Sequence, residues 1–298
     1  MSTLWGIDLG GTKIEGIVLD KITGSVLSRT RVPTEGHLGY EHVLNQIRLL
    51  ISFLEKESAT KTDKIGICTP GTMDPVLQVM KNCNSTSLNG KNLKKDLEDL
   101  LQKSFATSND ANCFALAETK MGIIPDKSPD AEVVFGIILG TGVGGGIVVN
   151  GKVINGKHGI GGEWGHNHLH DSGGPCYCGR TGCVETILSG PAIQKYYKKI
   201  SNQDLIVKDI MSLYHQHDAA AVETMDRFFD FFGKAIAYVI NILDPDAIVI
   251  GGGVGNVDEV YTLGVAKAVP HVFNHSLETP FYKPKLGDSA GVFGAAYL

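Results

Sequence analysis

The chain has 298 residues, of which 43% are hydrophobic and 20% charged, and its formal net charge is −5. That length holds one large or two medium domains with a full core, and the acidic balance excludes a broad nucleic-acid-binding face. No apolar run reaches the ~18 residues of a membrane span, and the opening Met-Ser-Thr-Leu-Trp has neither the basic nor the apolar region of a secretory signal.

Residues 4–8 read as a short buried strand that runs into the polar turn Asp8-Leu-Gly10-Gly11-Thr12-Lys13. Strands at 14–20 and 25–32 make the opening an antiparallel meander. A helix fits 39–57, because Val43, Ile47, Leu50, Ile51 and Leu54 recur on one face. The strand at 64–68 ends in the turn Thr69-Pro70-Gly71-Thr72. A hairpin over 72–81 leads to a polar loop at 82–90 that reaches toward a ligand. A helix at 92–102 and a strand at 104–108 follow. Then Ser108-Asn109-Asp110-Ala111-Asn112 opens the helix carrying Phe114, Leu116 and Ala117, with Asn and Asp as natural N-caps.

A second unit begins at Glu132. The apolar strand 133–139 is followed by Gly140-Thr141-Gly142-Val-Gly-Gly-Gly146, a strand at 147–149 and a turn at Asn150-Gly151. The plan of strand, glycine turn with a threonine, and second strand repeats the chain's opening. Helices dominate 184–243, the last of them spanning 217–243 and stopping before Asp244-Pro245. A strand at 247–250 ends in Gly251-Gly252-Gly253, a helix covers 256–269, and a small-residue helix runs from Gly287 to the end.

Glycine is in excess, 37 residues of 298 where about 7% is usual. No collagen-like period accounts for it, so the excess marks tight turns and close backbone approaches. Three such turns follow strands, at 10–12, 140–142 and 251–253. Backbone N–H groups in turns of this kind form anion-binding concavities, and three together point to a nucleoside triphosphate. Gly140 to Gly145 formally matches G-x-G-x-x-G, but a strand follows where a dinucleotide fold needs a helix. No Gly-Lys pair is followed by Ser or Thr, so there is no P-loop. Asp110 is the candidate base, its alternative being a plain N-cap. Asp8 can act through water on a magnesium ion bridging the phosphates, its alternative being a residue that caps the bend.

The stretch from Glu163 to Glu185 holds three of the six cysteines and three of the ten histidines. His166, Cys176, Cys178 and Cys183 are the thiolate and imidazole ligands that tetrahedral zinc prefers. The alternative is a disulfide or packed thiols. Four protein ligands leave no open position, so the zinc is structural rather than hydrolytic. One Arg and no Lys in this stretch argue against a nucleic-acid-binding zinc ribbon. Cys68, Cys83 and Cys113 stand singly and read as core thiols, and a free-thiol protein with a thiolate metal site suggests the cytoplasm.

Taken together, Asp8 to Lys13, Leu139 to Gly142, Gly251 to Gly253, Asn109-Asp110-Ala-Asn112 and the Glu163-Trp-Gly-His166 … Cys176-Tyr-Cys178-Gly-Arg-Thr-Gly-Cys183-Val-Glu185 signature resemble the ROK family (repressors, open reading frames and sugar kinases) over the whole chain. That resemblance implies an α/β fold of two ribonuclease-H-like lobes around a cleft, as in actin-like and hexokinase-like ATPases, with a zinc-binding loop. It places residues 1–117 and 287–298 in one lobe and 118–286 in the other, with the last helix returning to the first lobe. It makes Asp110 the base that takes the proton from the sugar's primary hydroxyl as the hydroxyl attacks the γ-phosphorus of Mg·ATP. Asn109, Glu163, His166, Glu185, Gly71 and Asn84 fall on the sugar side, with His166 also on zinc. Asp8, Gly10, Gly11, Thr12, Lys13, Gly140, Thr141, Gly142, Gly251, Gly252 and Gly253 fall on the ATP side.

Within the family, Lys81 to Gly90, Gly162 to Asn167 and Pro175 to Gly179 are similar to bacterial fructokinases that accept mannose. N-acetylglucosamine kinases share Asn109 to Leu116. The expectation is an ATP-dependent hexose 6-kinase acting on fructose or mannose, with N-acetylglucosamine or glucose as alternatives. A non-catalytic sugar-sensing regulator is the alternative of another class. A helix-turn-helix ahead of the first strand marks that branch, and a first strand at residue 4 favours catalysis. The family often forms dimers, so a homodimer is one expected assembly, while the acidic charge and the lack of a long apolar run give no nucleic-acid or membrane partner.

Overall fold

Two five-stranded sheets of matching strand order organise the chain, which a computed structural model describes over residues 2–83 and 85–298, with Asp288 as backbone only. The first sheet runs Val26–Pro33, Lys13–Asp20, Thr3–Leu9, Lys64–Thr69, Ser104–Asn109. Its first three strands pair antiparallel, and the last two continue parallel from Thr3–Leu9. The second sheet runs Lys152–Val153, Val143–Val149, Val133–Leu139, Ala247–Gly251, Phe281–Tyr282, with the last three parallel. The internal repeat expected from the two strand-turn-strand openings is therefore present in the strand order of the sheets.

Two compact units emerge: Met1–Pro129, Gly146–Gly161 and Lys285–Leu298 form one, and Asp130–Gly145 with Gly162–Pro284 the other. Residues 118–129 and the hairpin 146–161, expected with the second lobe, group with the first unit. The division falls inside the strand Val143–Val149, so composition and loop signals could not mark it.

In the first unit, Ile7, Leu9, Ile14 and Val18 pack with Val43, Ile47, Leu50 and Leu54 of the helix Tyr40–Ser58 and with Leu93 and Leu97 of the helix Leu93–Leu101. The C-terminal helix Ala290–Ala296 lies directly on this sheet, as the return to the first lobe required. A Cβ on Gly6 would stand 2.3 Å from the Val292 carbonyl oxygen, and one on Gly66 would stand 1.7 Å from that of Ala295. Only hydrogen at these positions lets helix backbone meet strand backbone. Glu118, fully buried, accepts from the N–H groups of Ile123, Lys285 and Leu286 at 2.9–3.0 Å. A buried carboxylate with three donors is stable where a bare one is not, and this one ties down the segment that re-enters the unit.

The second unit buries Val134, Phe135, Ile137 and Leu139 of one strand and Ile248 to Ile250 of another. Its long helix, Ala219–Leu243, buries Phe228, Phe229, Phe232 and Ile236 and is capped by Asp218 accepting from Ala221 N–H at 2.9 Å. Losing such a cap costs about 1 kcal/mol. Two expectations are corrected here. The strand placed at 147–149 begins at Val143, because its glycines extend rather than turn. The helix placed at 256–269 is two 3-10 turns, Val254–Asn256 and Asp258–Val260, and a short helix Leu263–Ala268. Gly255, Asn256 and Asp258 are poor helix formers that favour turns. Among the described residues, no helix is long and apolar enough to cross a membrane.

Candidate active site

In the first unit the turn after Thr3–Leu9 is braced by the end of a neighbouring strand. Gly10 N–H donates to the Lys13 carbonyl at 3.1 Å, Thr34 N–H to Thr12 O at 2.9 Å, and the Thr34 hydroxyl to Gly10 O at 2.7 Å. Gly11, Thr12 and Lys13 are left exposed. Asp8 is half-buried behind the turn, and burial pushes its carboxyl above the usual range. The Cys68 thiol opposes this by hydrogen bonding, while the charges of Asp110 and Glu15 add to it and Lys13 subtracts. Asp8 and Asp110, assigned separately from sequence, therefore feel one another.

The strand Ser104–Asn109 feeds directly into the helix Asp110–Lys120. Asn109 is the cap, its side-chain oxygen accepting from Asn112 N–H at 2.9 Å. That leaves Asp110 one position inside the helix and free of the capping duty. One of its oxygens accepts from Ala111 N–H at 2.8 Å. The residue is open to solvent, yet protein surrounds it closely enough for desolvation to raise its carboxyl above the ordinary range. An accessible carboxylate with an elevated pKa is what a general base requires.

Loop 82–90 holds itself together through Asn89, which accepts from Cys83 N–H at 2.9 Å and donates to Cys83 O at 3.2 Å. Asn84, expected at the sugar, lies outside the described residues. Ser85 stands over the first glycine turn, since a Cβ on Gly11 would lie 3.5 Å from its hydroxyl. Gly11, Thr12, Glu35, His37, Ser85, Thr86 and Ser87 line a cavity of about 630 Å³. Gly71 is buried against the same loop, where a Cβ would fall 2.6 Å from Cys83 Sγ and from Lys81 O. The contribution of Ser85 was not singled out, because nothing local ties residue 85 to residue 11.

In the second unit, Gly140 N–H donates to Gly142 O at 3.0 Å and Gly190 N–H to Gly140 O at 2.8 Å. One oxygen of Glu185 accepts from Val143 N–H at 2.8 Å, and a Cβ on Gly142 would press on that oxygen at 2.6 Å. Glu185 therefore has a bracing duty that the sequence did not reveal. The third turn is also steric. Gly252 has φ +84°, and a Cβ there would meet the Leu139 carbonyl oxygen at 2.3 Å. Gly251 is buried, while Gly252 and Gly253 are exposed.

Glu163 precedes a 3-10 turn, Trp164–His166, that is anchored by Trp164 packing edge-on to Phe135 with centroids 5.9 Å apart. His166, Cys176, Cys178 and Cys183 converge with their ligand atoms all within 4.8 Å of one another. The contacts Nδ1···Sγ of His166–Cys176 and Sγ···Sγ of Cys178–Cys183 are each 3.6 Å. Tetrahedral zinc, with bonds of about 2.3 Å to sulfur and about 2.0 Å to nitrogen, spaces its ligands by roughly 3.5–3.8 Å. The four residues thus fit a zinc ion. All six cysteines are free thiols, and Cys68, Cys83 and Cys113 are buried as expected. His166 Nε2 faces the Tyr177 hydroxyl at 3.0 Å. Burial raises the Tyr177 phenol to about 12, and the charges of Glu185 and Glu163 contribute. Those two carboxylates therefore lie within electrostatic reach of this tyrosine.

The chain matches the ROK family over residues 4–298. It is 35% identical over 306 residues to the N-acetyl-D-glucosamine kinase of Vibrio atlanticus, covering 99% of this chain and 98% of that protein. Among solved structures, the ROK hexokinase of Thermus thermophilus superposes with a TM-score of 0.88 at 29% identity, over 99% of this chain and 97% of the other. A ROK family glucokinase from Streptomyces griseus, solved with glucose and AMPPNP, gives 0.75 at 26% identity over 99% and 98%. With the paired sheets, the glycine turns and the Cys3His loop in place, these matches settle the family and the general activity: the chain belongs to the ROK family and is an α/β sugar kinase of the actin-like, hexokinase-like ATPase fold.

Proposed function

We propose that this protein transfers the γ-phosphoryl group of ATP to the 6-hydroxyl of N-acetyl-D-glucosamine. The observation that carries the chemistry is the division of labour at the strand-helix junction. Asn109 takes the cap, so the solvent-accessible Asp110 is left as a base with an elevated pKa. In this reading Asp110 accepts the hydroxyl proton, while Asn109, Glu163 and Glu185 hold other sugar hydroxyls and His166 stands behind them on the zinc. The hydroxyls and backbone donors of the 10–12 and 140–142 turns hold the phosphates, and residues 251–253 lie toward the adenosine. Phosphoryl transfer needs little from the protein beyond positioning and charge neutralisation. Magnesium carried with ATP supplies part of that neutralisation. Asp8 suits a cation nearby, because it is half-buried and faces the charges of Asp110 and Glu15. Zinc on His166 and the three cysteines holds the loop and takes no part in the chemistry.

The choice of sugar rests on the end-to-end likeness to an N-acetyl-D-glucosamine kinase, which outweighs the fructose and mannose reading drawn from residues 81–90. A coupled assay with Mg·ATP across N-acetylglucosamine, fructose, mannose and glucose tests it. N-acetylglucosamine should lead in kcat/KM by about tenfold or more, since a few buried hydrogen bonds decide among hexoses. A lead for fructose would return the choice to the loop, and turnover of none of the four would sink the proposal.

A further inference from the structure

We infer that Tyr177 is a sugar-contacting residue: its phenol O–H, oriented by His166 and flanked by Glu185, donates to a hydroxyl of the hexose. The inference rests on the sugar-kinase reading above and adds to it a group that the general pattern of ligands and carboxylates does not contain.

The argument starts from the proton on His166. A histidine that binds metal through Nδ1 carries its hydrogen on Nε2 and directs it to an acceptor that fixes the ring. Here Nδ1 faces the sulfur cluster, and Nε2 lies 3.0 Å from the Tyr177 hydroxyl. The nitrogen therefore donates and the phenol oxygen accepts. A phenol that accepts still has its own O–H to give. Among the described residues, His166 is the one hydrogen-bond partner of that hydroxyl, so the second half of its capacity points outward.

The placement of the ring supports the same conclusion. Tyr177 sits between two of the ligands, Cys176 and Cys178, so bound metal fixes its backbone on both sides. The ring stands edge-on to the imidazole, with centroids 5.1 Å apart and planes at 90°. Yet the side chain is 78% exposed, so it adds little to the fold by burial. A large aromatic group held rigid and left in solvent serves contact with something else.

What it would contact follows from its neighbours. Tyr177, Glu185, Thr141, Ser189 and Lys195 line a cavity of about 190 Å³. Complete ligand sites run to roughly 300–1,000 Å³, so this is a subsite for part of a molecule. Apart from Thr141, which belongs to the phosphate turn, it presents a phenol donor, a carboxylate acceptor, the Ser189 hydroxyl and the Lys195 ammonium, a set that suits the hydroxyls of a sugar. One oxygen of Glu185 is committed to Val143 N–H, which leaves the other to accept beside the tyrosine's donor. The sequence signal was present in the Cys176-Tyr-Cys178 triplet, but spacing alone gives a residue between two ligands no role.

Tyr177→Phe tests this while keeping the ring. Four quantities are needed: hexose Kd by calorimetry without ATP, KM for hexose and for ATP, kcat, and zinc content by chelator release. The variant should raise hexose Kd and KM about tenfold, the loss of one hydrogen bond to a bound ligand. Its ATP KM and zinc content should match the wild type, and kcat should change less than about threefold. Tyr177→Leu should weaken hexose binding further, because the ring is lost as well. The inference is overturned if Tyr177→Phe binds hexose within about twofold of wild type. It is overturned equally if weaker binding tracks lost zinc and returns when zinc is restored. Asp110→Ala separates the two proposals: it should lower kcat by about 10²–10⁴-fold while hexose binding stays measurable by calorimetry. A wild-type protein that neither binds nor phosphorylates a hexose removes the proposed function itself.

Discussion

The two glycine turns that carry a threonine occupy equivalent places in sheets of the same strand order, yet they are braced by different means. The turn at 10–12 is held by Thr34, which reaches both Gly10 O and Thr12 O from the end of a neighbouring strand in the same sheet. The turn at 140–142 is held by Gly190 N–H on Gly140 O and by Glu185 on Val143 N–H. Both braces follow Cys183 closely, so the second turn depends on the loop that His166 and the three cysteines close. The same backbone motif is therefore a product of the sheet in one unit and of the Cys3His loop in the other. An ion held by His166 and the cysteines would fix Glu163 and Glu185 and, through Glu185, steady the 140–142 turn as well.

The difference is exposed most sharply by variants that strike one unit only. Asp110→Ala should lower kcat by about 10²–10⁴-fold, the usual contribution of a general base. Because Asp110 belongs to the first unit, zinc content and ATP KM should stay at wild-type values. Steady-state kinetics with a zinc assay reads both, and near-normal turnover would remove Asp110 from its role. Cys183→Ser, or chelation, should strike the other side. Loss of ordering around a metal ligand set commonly costs 10–100-fold in affinity or activity, and here hexose and ATP KM should rise together. An ATP KM that stays fixed while the zinc is gone would show that Glu185 braces its turn without help from the metal.

Smaller substitutions sharpen the same contrast. Glu185→Ala leaves Val143 N–H without its acceptor, a loss of about 1–3 kcal/mol for a group away from water. Thr34→Val removes one hydroxyl bond from the first turn, worth about 1 kcal/mol. Thermal denaturation with and without chelator distinguishes them. The Thr34→Val deficit should be the same in both conditions. That of Glu185→Ala should shrink once zinc is removed, because the brace is already loosened.

Much of this was legible in the chain because the informative residues are close in sequence. His166 and the three cysteines fall within 18 residues, so spacing alone proposed the cluster that the fold closes. Asp8 to Lys13 and Asn109-Asp110 are contiguous and sit where strand patterns end. The misses arise where partners are distant or where one residue type has two uses. Glycine reads as a turn, yet Gly144, Gly145 and Gly146 lie in a strand. Backbone elsewhere packs where a side chain would stand: a Cβ on Gly146 would meet Ala111 O at 2.5 Å. Thr34 is 24 residues from the carbonyl it holds, and Glu118 is 167 from one of its donors. Neither pairing leaves a local periodic trace. Glu185 was placed on the sugar by its signature, but its bond to Val143 depends on a fold that brings residues 42 apart together.

The smallest expected effect concerns the sign of the electrostatics in the first unit. Burial raises the carboxyls of both Asp8 and Asp110 above the ordinary range. A carboxyl whose folded pKa exceeds its unfolded value, about 3.9 for Asp, binds its proton more tightly in the native state. Its charged form therefore destabilises the fold. That cost is complete above the folded pKa and fades as pH falls toward the unfolded value. Turnover moves the other way, because the base must be ionised to accept a proton. The acid limb of kcat/KM should then lie above pH ~4, where an unperturbed Asp would still be ionised. Asp110→Asn keeps the shape and removes the charge, so it should be inactive yet slightly more stable at pH 7. Asp110 is open to solvent on one side, which screens the penalty, and a Tm gain of only about 1–2 °C is expected. The gain should narrow as pH falls toward the unfolded value of about 3.9 and the wild-type carboxyl takes up its proton. A Tm for Asp110→Asn below wild type at pH 7 would mean that the ionised carboxylate is held by favourable contacts, and the base would then titrate no higher than an ordinary aspartate.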